Sequence, residues 1–250
     1  MATIDSVLDN SVVDRMIELR RAIHQNPELS HRENATSALV RDELEAAGIG
    51  PIREVAGTGL IVDIAGSNDV GPTGGPTLAI RADLDALPIT EQTGLPFASR
   101  NAGVMHACGH DSHTAMVLAA ALTLKATPES FAGTARIIFQ PAEEAEPLGG
   151  RAVIADGHLD DVDGVIGIHV DPAMDTGRIG VRTGAFASSA DELDIRVLGT
   201  AAHGAKPHQG VDAIVVAAAL VGQLQSVVSR NRDPAELLII TLGTIDGGAI

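Results

Sequence analysis

Tyrosine and tryptophan are absent from this sequence, and only four phenylalanines are present. A chain that is 45% hydrophobic without them must build its core from Ala, Val, Ile and Leu. Its 250 residues are enough to bury such a core, as one large domain or as two smaller ones.

Positive charge is also scarce. Lys and Arg number 17 against 33 Asp and Glu, which gives a net charge of -16. A surface of that sign repels polyphosphate and anionic lipid, so we expect neither a nucleic-acid nor a membrane partner. A metal centre is compatible with this charge, because carboxylates bind cations.

Cysteine occurs once, which excludes an internal disulfide framework and indicates a reducing, cytoplasmic location. The first residues lack a basic region followed by an apolar one, so no signal peptide is predicted. The longest apolar run, residues 213–221, is too short to span a bilayer.

The spacing of apolar residues over the first 186 positions alternates between helical and strand patterns. Helices are predicted at 12–24, 34–47, 114–125 and 149–157, and strands at 60–64, 77–81, 134–139 and 165–170. Asn34 is the expected cap of the second helix and Gly48 its stop. The last strand is predicted to be buried. This order predicts an α/β sheet with its site at the strand ends.

The pattern changes near Ala185. Strands are predicted at 193–197 and 237–242, on either side of a long amphipathic helix at 211–230. The domains are therefore predicted as 1–186, which is metal-binding and catalytic, and 187–250, a small α+β domain inserted into the first.

Two short segments carry the chemistry. Residues 105–111 read MHACGHD, and residues 140–144 read QPAEE directly after an apolar strand. Thiolate, imidazole and carboxylate are transition-metal ligands, and a second glutamate beside a ligating one can accept a proton from water. Because Cys108 precedes a helix, the helix dipole is expected to lower the pKa of its thiol.

Five motifs in one order resemble the M20 peptidases. They are LRRAIHxxPEL at 19–29, RADLDALP at 81–88, MHACGHDxHTA at 105–115, QPAEE at 140–144 and GIH at 167–169. More narrowly, they are similar to the amidohydrolase branch, which includes hippurate hydrolases, N-acyl-amino-acid amidohydrolases and auxin-conjugate hydrolases.

The resemblance implies a role for each matching residue. Four side chains would hold two divalent ions (Mn, Zn, Co or Ni): Cys108, His110, Glu144 and His169. Glu143 would be the general base for metal-activated water, and Asp85 would orient a ligand. Asp83 stands where other branches carry a ligating His. His106 and His113 are expected to be structural or to support the ligands.

The resemblance also implies an overall plan. A zinc-peptidase-like catalytic domain with a mixed sheet would carry an inserted α+β lid domain through which the protein forms a homodimer. His203, in a loop similar to the family's lid loop, would stabilise the oxyanion. Because family members are longer, the chain is expected to be truncated inside the lid. The substrates would be small N-acyl amino acids.

Three alternatives remain open. An M20 aminopeptidase or dipeptidase fits the same fold, although those branches more often place Asp where Cys108 stands. A truncated chain could be an inactive module for metal binding or dimerisation. A hydrolase with Cys108 as nucleophile would leave Glu143 and Glu144 without a role. Sensitivity to chelators and to thiol reagents distinguishes these alternatives.

Overall fold

The structure is a computed structural model that describes residues 10–68, 74–187, 189, 191–233 and 236–248. The chain divides into two compact units, Met1–Asp175 and Thr176–Ile250. The predicted domain boundary, between residues 186 and 187, lies later in the chain. The identity of the second unit as a lid domain stays a prediction.

Among its described residues, the first unit contains four α-helices and five strands. The helices are α1 (Asn10–Gln25), α2 (Asn34–Ala46), α3 (His110–Ala126) and α4 (Gly149–Ala155). The strands are β1 (Arg53–Val55), β2 (Gly59–Ala65), β3 (Thr77–Asp83), β4 (Thr134–Gln140) and β5 (Gly164–Gly167). The predicted α/β class is confirmed.

The strands form one mixed sheet in the order β1-β2-β4-β3-β5. The pairs β1–β2 and β2–β4 are antiparallel, whereas β4–β3 and β3–β5 are parallel. In the register of β3 and β4, Asp83 lies opposite Gln140. The two central strands therefore end at the same edge of the sheet and deliver their following loops to one place.

The core is almost entirely aliphatic, as the composition predicts. Its main cluster joins α2 and α3 to the central strands, and Phe139 is the only aromatic residue among its fully buried members. A smaller cluster on Val55, Ile61, Ala79, Ile138 and Val153 includes α4. Packing on the sheet fixes α3, whose first residues belong to the candidate site.

Two helix starts differ from the predictions. α3 begins at His110, four residues before the predicted start, because its first turn is polar and was not part of the apolar pattern. The predicted cap at Asn34 is wrong. The backbone N–H groups of Ala35 and Thr36 donate to the Glu28 carboxylate at 3.0 and 2.8 Å instead.

A strand forms where one is predicted at 165–170, although it spans only Gly164–Gly167, and the prediction that this strand is buried is wrong. β5 is the edge strand, and Val165 and Ile166 are 57% and 49% exposed. An edge strand has a hydrogen-bonded neighbour on one side only, here β3. Its apolar sequence indicated that both faces of the strand are covered by other elements. Among the described residues, however, the side chains of Val165 and Ile166 remain exposed.

The second unit contains helix α5 (Ala213–Arg230), close to the predicted helix. The predicted strands at 193–197 and 237–242 are not formed in the described residues, where the only ladder contact of this unit is an isolated bridge, Thr200↔Val211. Alternating apolar residues make a strand only where the backbone finds a partner.

Helix α5 has no buried residue. It is longer than the apolar run 213–221, and by length and composition alone its 18 residues could cross a membrane. Core helices pass the same test, so this finding assigns no membrane span.

Candidate metal centre

The candidate centre is built at the edge where β3 and β4 end. β3 leads into a loop that carries Asp85, and β4 leads into the loop that carries Glu143 and Glu144. A third segment, at the start of α3, contributes Cys108 and His110. The first two segments meet because the parallel strands β3 and β4 end at the same edge, and the third reaches them because α3 packs on the sheet.

Gly109 allows the third segment, at the start of α3, to lie close to the residues that follow β5. It precedes α3 with φ +86, a left-handed conformation that favours glycine, and a Cβ at this position would collide with the side chain of Val170. Gly109 therefore lets the Cys108 segment pack against the residues that follow β5, which include His169.

Three of the four predicted ligands lie together, and the fourth, His169, contacts one of them. One ligand atom each from Cys108, His110 and Glu144 falls within 4.8 Å of the others. The Sγ atom of Cys108 is 3.4 Å from Nε2 of His169. The structure therefore places sulfur, nitrogen and oxygen donors around one point.

Hydrogen bonding sets the tautomer of His110. Its Nδ1 donates to the backbone carbonyl of Asp85 at 2.8 Å, which leaves the lone pair of Nε2 for another partner. Nε2 lies 3.7 Å from Glu144 Oε1 and 3.9 Å from Glu143 Oε2, too far for hydrogen bonds. Donor atoms about 2 Å from a shared metal ion stand apart by similar distances.

A second group, Asp83, His110 and His113, also has the spacing of a metal site. The backbone N–H of Val170 donates to Nε2 of His113 at 2.9 Å, so this nitrogen already has a proton donor. Nδ1 of His113 must then carry the proton, which it donates to Asp83 at 2.7 Å. His113 is thus engaged at both nitrogens and hydrogen-bonds to Asp83, while its role in supporting the ligands stays a prediction.

The chemistry of the donors fits divalent metal ions. Glu144 Oε1 is buried and has no hydrogen-bond partner among the described residues. Leaving a buried carboxylate oxygen unpaired is costly unless a cation or a donor compensates it. A thiolate, two imidazoles and a carboxylate suit Zn²⁺ and neighbouring transition metals better than Ca²⁺ or Mg²⁺.

The carboxylates around the candidate metal centre favour positive charge there. Burial opposes the charged form of His110, but the carboxylates of Asp85, Asp83 and Glu144 outweigh it and raise its pKa. Burial and the neighbouring Glu143 raise the pKa of Glu144, although His110 opposes the shift. Both shifts favour the more protonated form, and a bound divalent cation would relieve the same excess of negative charge.

The expected pKa of Cys108 is corrected by the structure. Burial, followed by the negative charge of Glu144, raises the pKa of the thiol to about 12. The position of Cys108 before α3 therefore does not lower the pKa of its thiol, because burial and the nearby carboxylates both favour the neutral form. The thiolate needs a cation beside it to be the stable form.

Asp85 holds two of the candidate ligands. Its Oδ2 accepts hydrogen bonds from the Ser30 hydroxyl at 2.6 Å and from the backbone N–H of Glu144 at 2.9 Å, while its carbonyl orients His110. Burial opposes ionisation, but hydrogen bonds from His110, Ser30 and the 143–144 backbone outweigh it and lower the pKa of Asp85. Asp85 has the contacts of the orienting residue that was predicted.

Replacing Asp85 with Asn should weaken the binding of divalent metal by about 10–100-fold, the usual effect of losing a partner that orients ligands. The new amide would direct N–H groups at Nδ1 of His110, which is 3.4 Å from Oδ1 and already carries a proton. Calorimetric titration with Zn²⁺ or Mn²⁺ measures the change. Ser30→Ala, which removes one hydrogen bond, should have a smaller effect, and equal affinities in all three proteins would contradict the role.

Two predicted residues lie apart from these contacts. His106 is buried, and neither ring nitrogen has a hydrogen-bond partner among the described residues. His203 is an exposed loop residue of the second unit, with its Nδ1 accepting from the Ala205 backbone N–H at 3.1 Å. Its proposed role in catalysis stays a prediction.

Ser30 and Arg81 were not identified as supporting residues from the sequence. Arg81 contacts Asp83 at 2.8 Å, and Ser30 contacts Asp85. Arg81 lies within the motif at 81–88, and Ser30 directly follows the motif at 19–29. This proximity to a motif was the signal in the sequence that could have identified them. Hydrogen bonding between motifs depends on the fold, which spacing alone does not give.

Comparisons with known proteins agree with this geometry. A sequence profile described as peptidase family M20/M25/M40 matches residues 79–248. The chain is 46% identical over 235 residues to N-acetyl-L-cysteine deacetylase of Bacillus subtilis, which covers 94% of this chain and 55% of that protein. It is 40% identical over 235 residues to N-acyl-L-amino acid amidohydrolase of Geobacillus stearothermophilus, covering 94% and 62%.

A solved structure is also similar. A Bacillus subtilis protein described as a dinuclear metal binding peptidase from the M20 family superposes with a TM-score of 0.65 at 45% identity, covering 70% of this chain and 48% of that one. The chain thus covers 55% and 62% of the two sequence relatives and 48% of the solved structure, about half of their length.

Proposed function

The chain belongs to peptidase family M20/M25/M40, and on that premise we propose that the full-length protein is a metal-dependent amidohydrolase of N-acyl amino acids. The observation that carries the proposal is the meeting of Cys108, His110 and Glu144 with Glu143 as an additional carboxylate beside them. The two named relatives, a deacetylase and an amidohydrolase, support this substrate class.

Four side chains would hold the metal: Cys108, His110, Glu144 and His169. The proposal is for two divalent ions, drawn from Mn, Zn, Co and Ni, in keeping with the dinuclear relative. Such ions would supply Lewis-acid chemistry, which polarises a carbonyl and lowers the pKa of water from 15.7 to about 7.

Glu143 would move the proton. Its carboxylate is partly exposed and lies 3.9 Å from the free nitrogen of His110, close to the ligands but outside the set that meets around Glu144. It would take a proton from the attacking water and give it to the leaving amine nitrogen. One amide C–N bond breaks and one C–O bond forms, which yields a carboxylic acid and a free amino acid.

His203 would donate a hydrogen bond to the developing oxyanion. A donor of this kind is worth about 3 kcal/mol of transition-state stabilisation. We also propose that the full-length protein forms a homodimer through the second unit, since the family resemblance implies that the donor comes from a partner subunit.

A peptidase activity is the second candidate. It is favoured by one observation, the description of the similar Bacillus subtilis structure as a peptidase. Both activities use the same ligands and base, so they differ in what flanks the scissile amide: an acyl group in the first case and an amino acid with a free amine in the second.

The test compares substrates in the full-length protein loaded with each of the four metals. N-acetyl and N-benzoyl amino acids are offered beside dipeptides, and release of free amino acid is measured. We expect hydrolysis of the N-acyl substrates that a chelator abolishes and that added metal restores. A higher kcat/KM for dipeptides would establish the second candidate, and turnover that resists chelators but not alkylation would overturn both.

A further inference from the structure

Glu33 is a fully buried carboxylate away from the ligands. Its side chain is 0% exposed, and no ion pair involves it among the described residues. Both oxygens are nevertheless satisfied. Oε1 accepts the backbone N–H of Ala142 at 2.8 Å, and Oε2 accepts the hydroxyl of Thr58 at 2.8 Å. Buried glutamates are rare, so these two bonds need an explanation.

The contact with Ala142 lies directly before the two functional glutamates. Ala142 is buried and has φ +46, a left-handed conformation that alanine adopts only when its surroundings enforce it. Its carbonyl accepts the N–H of Gly149 at 2.9 Å, and its own N–H goes to Glu33. The strained residue is therefore fixed on both sides of its peptide unit.

The peptide on the far side of Glu143 is fixed in the same way. The backbone N–H of Glu144 donates to Asp85, and Asp85 is bound by Ser30. Glu33 and Ser30 belong to one short segment after α1, and the carbonyl of Glu28 in that segment also accepts the N–H of Ala86 at 2.8 Å. The buried carboxylates of Glu33 and Asp85 thus accept the backbone N–H groups of Ala142 and Glu144, the residues on either side of Glu143.

We infer that Glu33 is a positioning residue, which with Asp85 clamps the backbone around Glu143 and sets the direction of the Glu143 and Glu144 carboxylates. Without Glu33, the buried N–H of Ala142 would lack a partner, and Ala142 would relax toward negative φ. The side chains that follow would then turn away from His110. The link to catalysis rests on the proposed function, whereas the clamp itself does not.

The experiment compares three variants of the full chain. Glu33→Leu removes both hydrogen bonds, and Thr58→Val removes only the bond to Thr58. Glu33→Gln can keep both, because its Oε1 accepts from Ala142 and its amide donates to the Thr58 hydroxyl. Hydrogen exchange is measured on the amides of residues 142–144, with those of β4 as the internal reference. Binding of Co²⁺ and kcat on an N-acyl amino acid are measured beside it.

Glu33→Leu should speed exchange at 142–144 by about tenfold or more with β4 unchanged, which is the pattern of a local opening. Binding of Co²⁺ should weaken by about 10–100-fold, and kcat should fall more than KM rises. Glu33→Gln should restore all three values to within a few-fold, and Thr58→Val should change only the melting temperature. If Glu33→Leu does not fold, Glu33→Asp, whose carboxylate is one methylene short of Ala142, must show the same local increase.

Equal exchange at 142–144 in wild type and Glu33→Leu would overturn the clamp, as would an equal increase in Thr58→Val. The exchange and Co²⁺ results do not need a substrate. If they behave as expected in a protein that hydrolyses no N-acyl amino acid, the clamp stands and the proposed function fails.

Discussion

Replacing Glu143 with Gln should lower kcat for amide hydrolysis by about 10²–10⁴-fold, the usual contribution of a general base. The amide of Gln has nearly the same shape as the carboxylate but cannot take a proton from water at neutral pH. Since the ligand set that meets around Glu144 does not include Glu143, the variant should keep its metal. Metal content by elemental analysis and kcat on an N-acyl amino acid together check this result.

A matched control is available three residues later. Glu146→Gln changes a carboxylate on the same loop whose side chain contacts Arg151 at 3.3 Å and not the ligands. It should leave kcat unchanged. Turnover within a few-fold of wild type in Glu143→Gln would contradict the general-base role, and loss of metal in that variant would reassign Glu143 as a ligand.

The convergence of the motifs at 81–88 and 140–144 could be predicted because a strand pattern leads into each of them. Apolar runs at 77–81 and 134–139 indicated two strands, and parallel neighbours carry their following loops to the same edge. Residue type indicated a metal site among the Cys, His and Glu residues of these segments, and the family resemblance then implied Cys108, His110 and Glu144 as ligands. The structure places these three residues together.

What the sequence did not predict depends on long-range contacts. The two strands expected in the second unit form only if other strands pair with them, and β5 is buried only if other elements pack on both of its faces. The local pattern of apolar residues does not show whether such partners exist. The pKa of Cys108 depends on burial and on carboxylates at and after the ends of β3 and β4, so a helix-dipole argument gave the wrong sign. Glu33 was overlooked because its partner, Ala142, lies 109 positions away.

Replacing Cys108 with Ser should abolish tight metal binding and, with it, turnover. Serine is nearly isosteric, but its hydroxyl does not ionise near neutral pH and is a poor ligand for the transition metals that suit this donor set. We expect the dissociation constant for Zn²⁺ to rise by more than the 10–100-fold typical of losing an orienting partner. Competition with a chromophoric chelator measures it. Cys108→Asp, which retains an anionic ligand atom, should keep more of the affinity than Cys108→Ser.

The composition of the chain makes an independent measurement possible. Cys108 is the single cysteine, so any thiol reagent reports on this position alone. In wild type, saturating Zn²⁺ should slow modification of the thiol, because a metal-bound sulfur is neither free nor accessible. A mercurial or an oxidant should displace the metal and inactivate the enzyme. Equal labelling rates with and without Zn²⁺, or a Cys108→Ser variant that binds Zn²⁺ as tightly as wild type, would remove sulfur from the ligand set and leave His110, Glu144 and His169 to hold the ion.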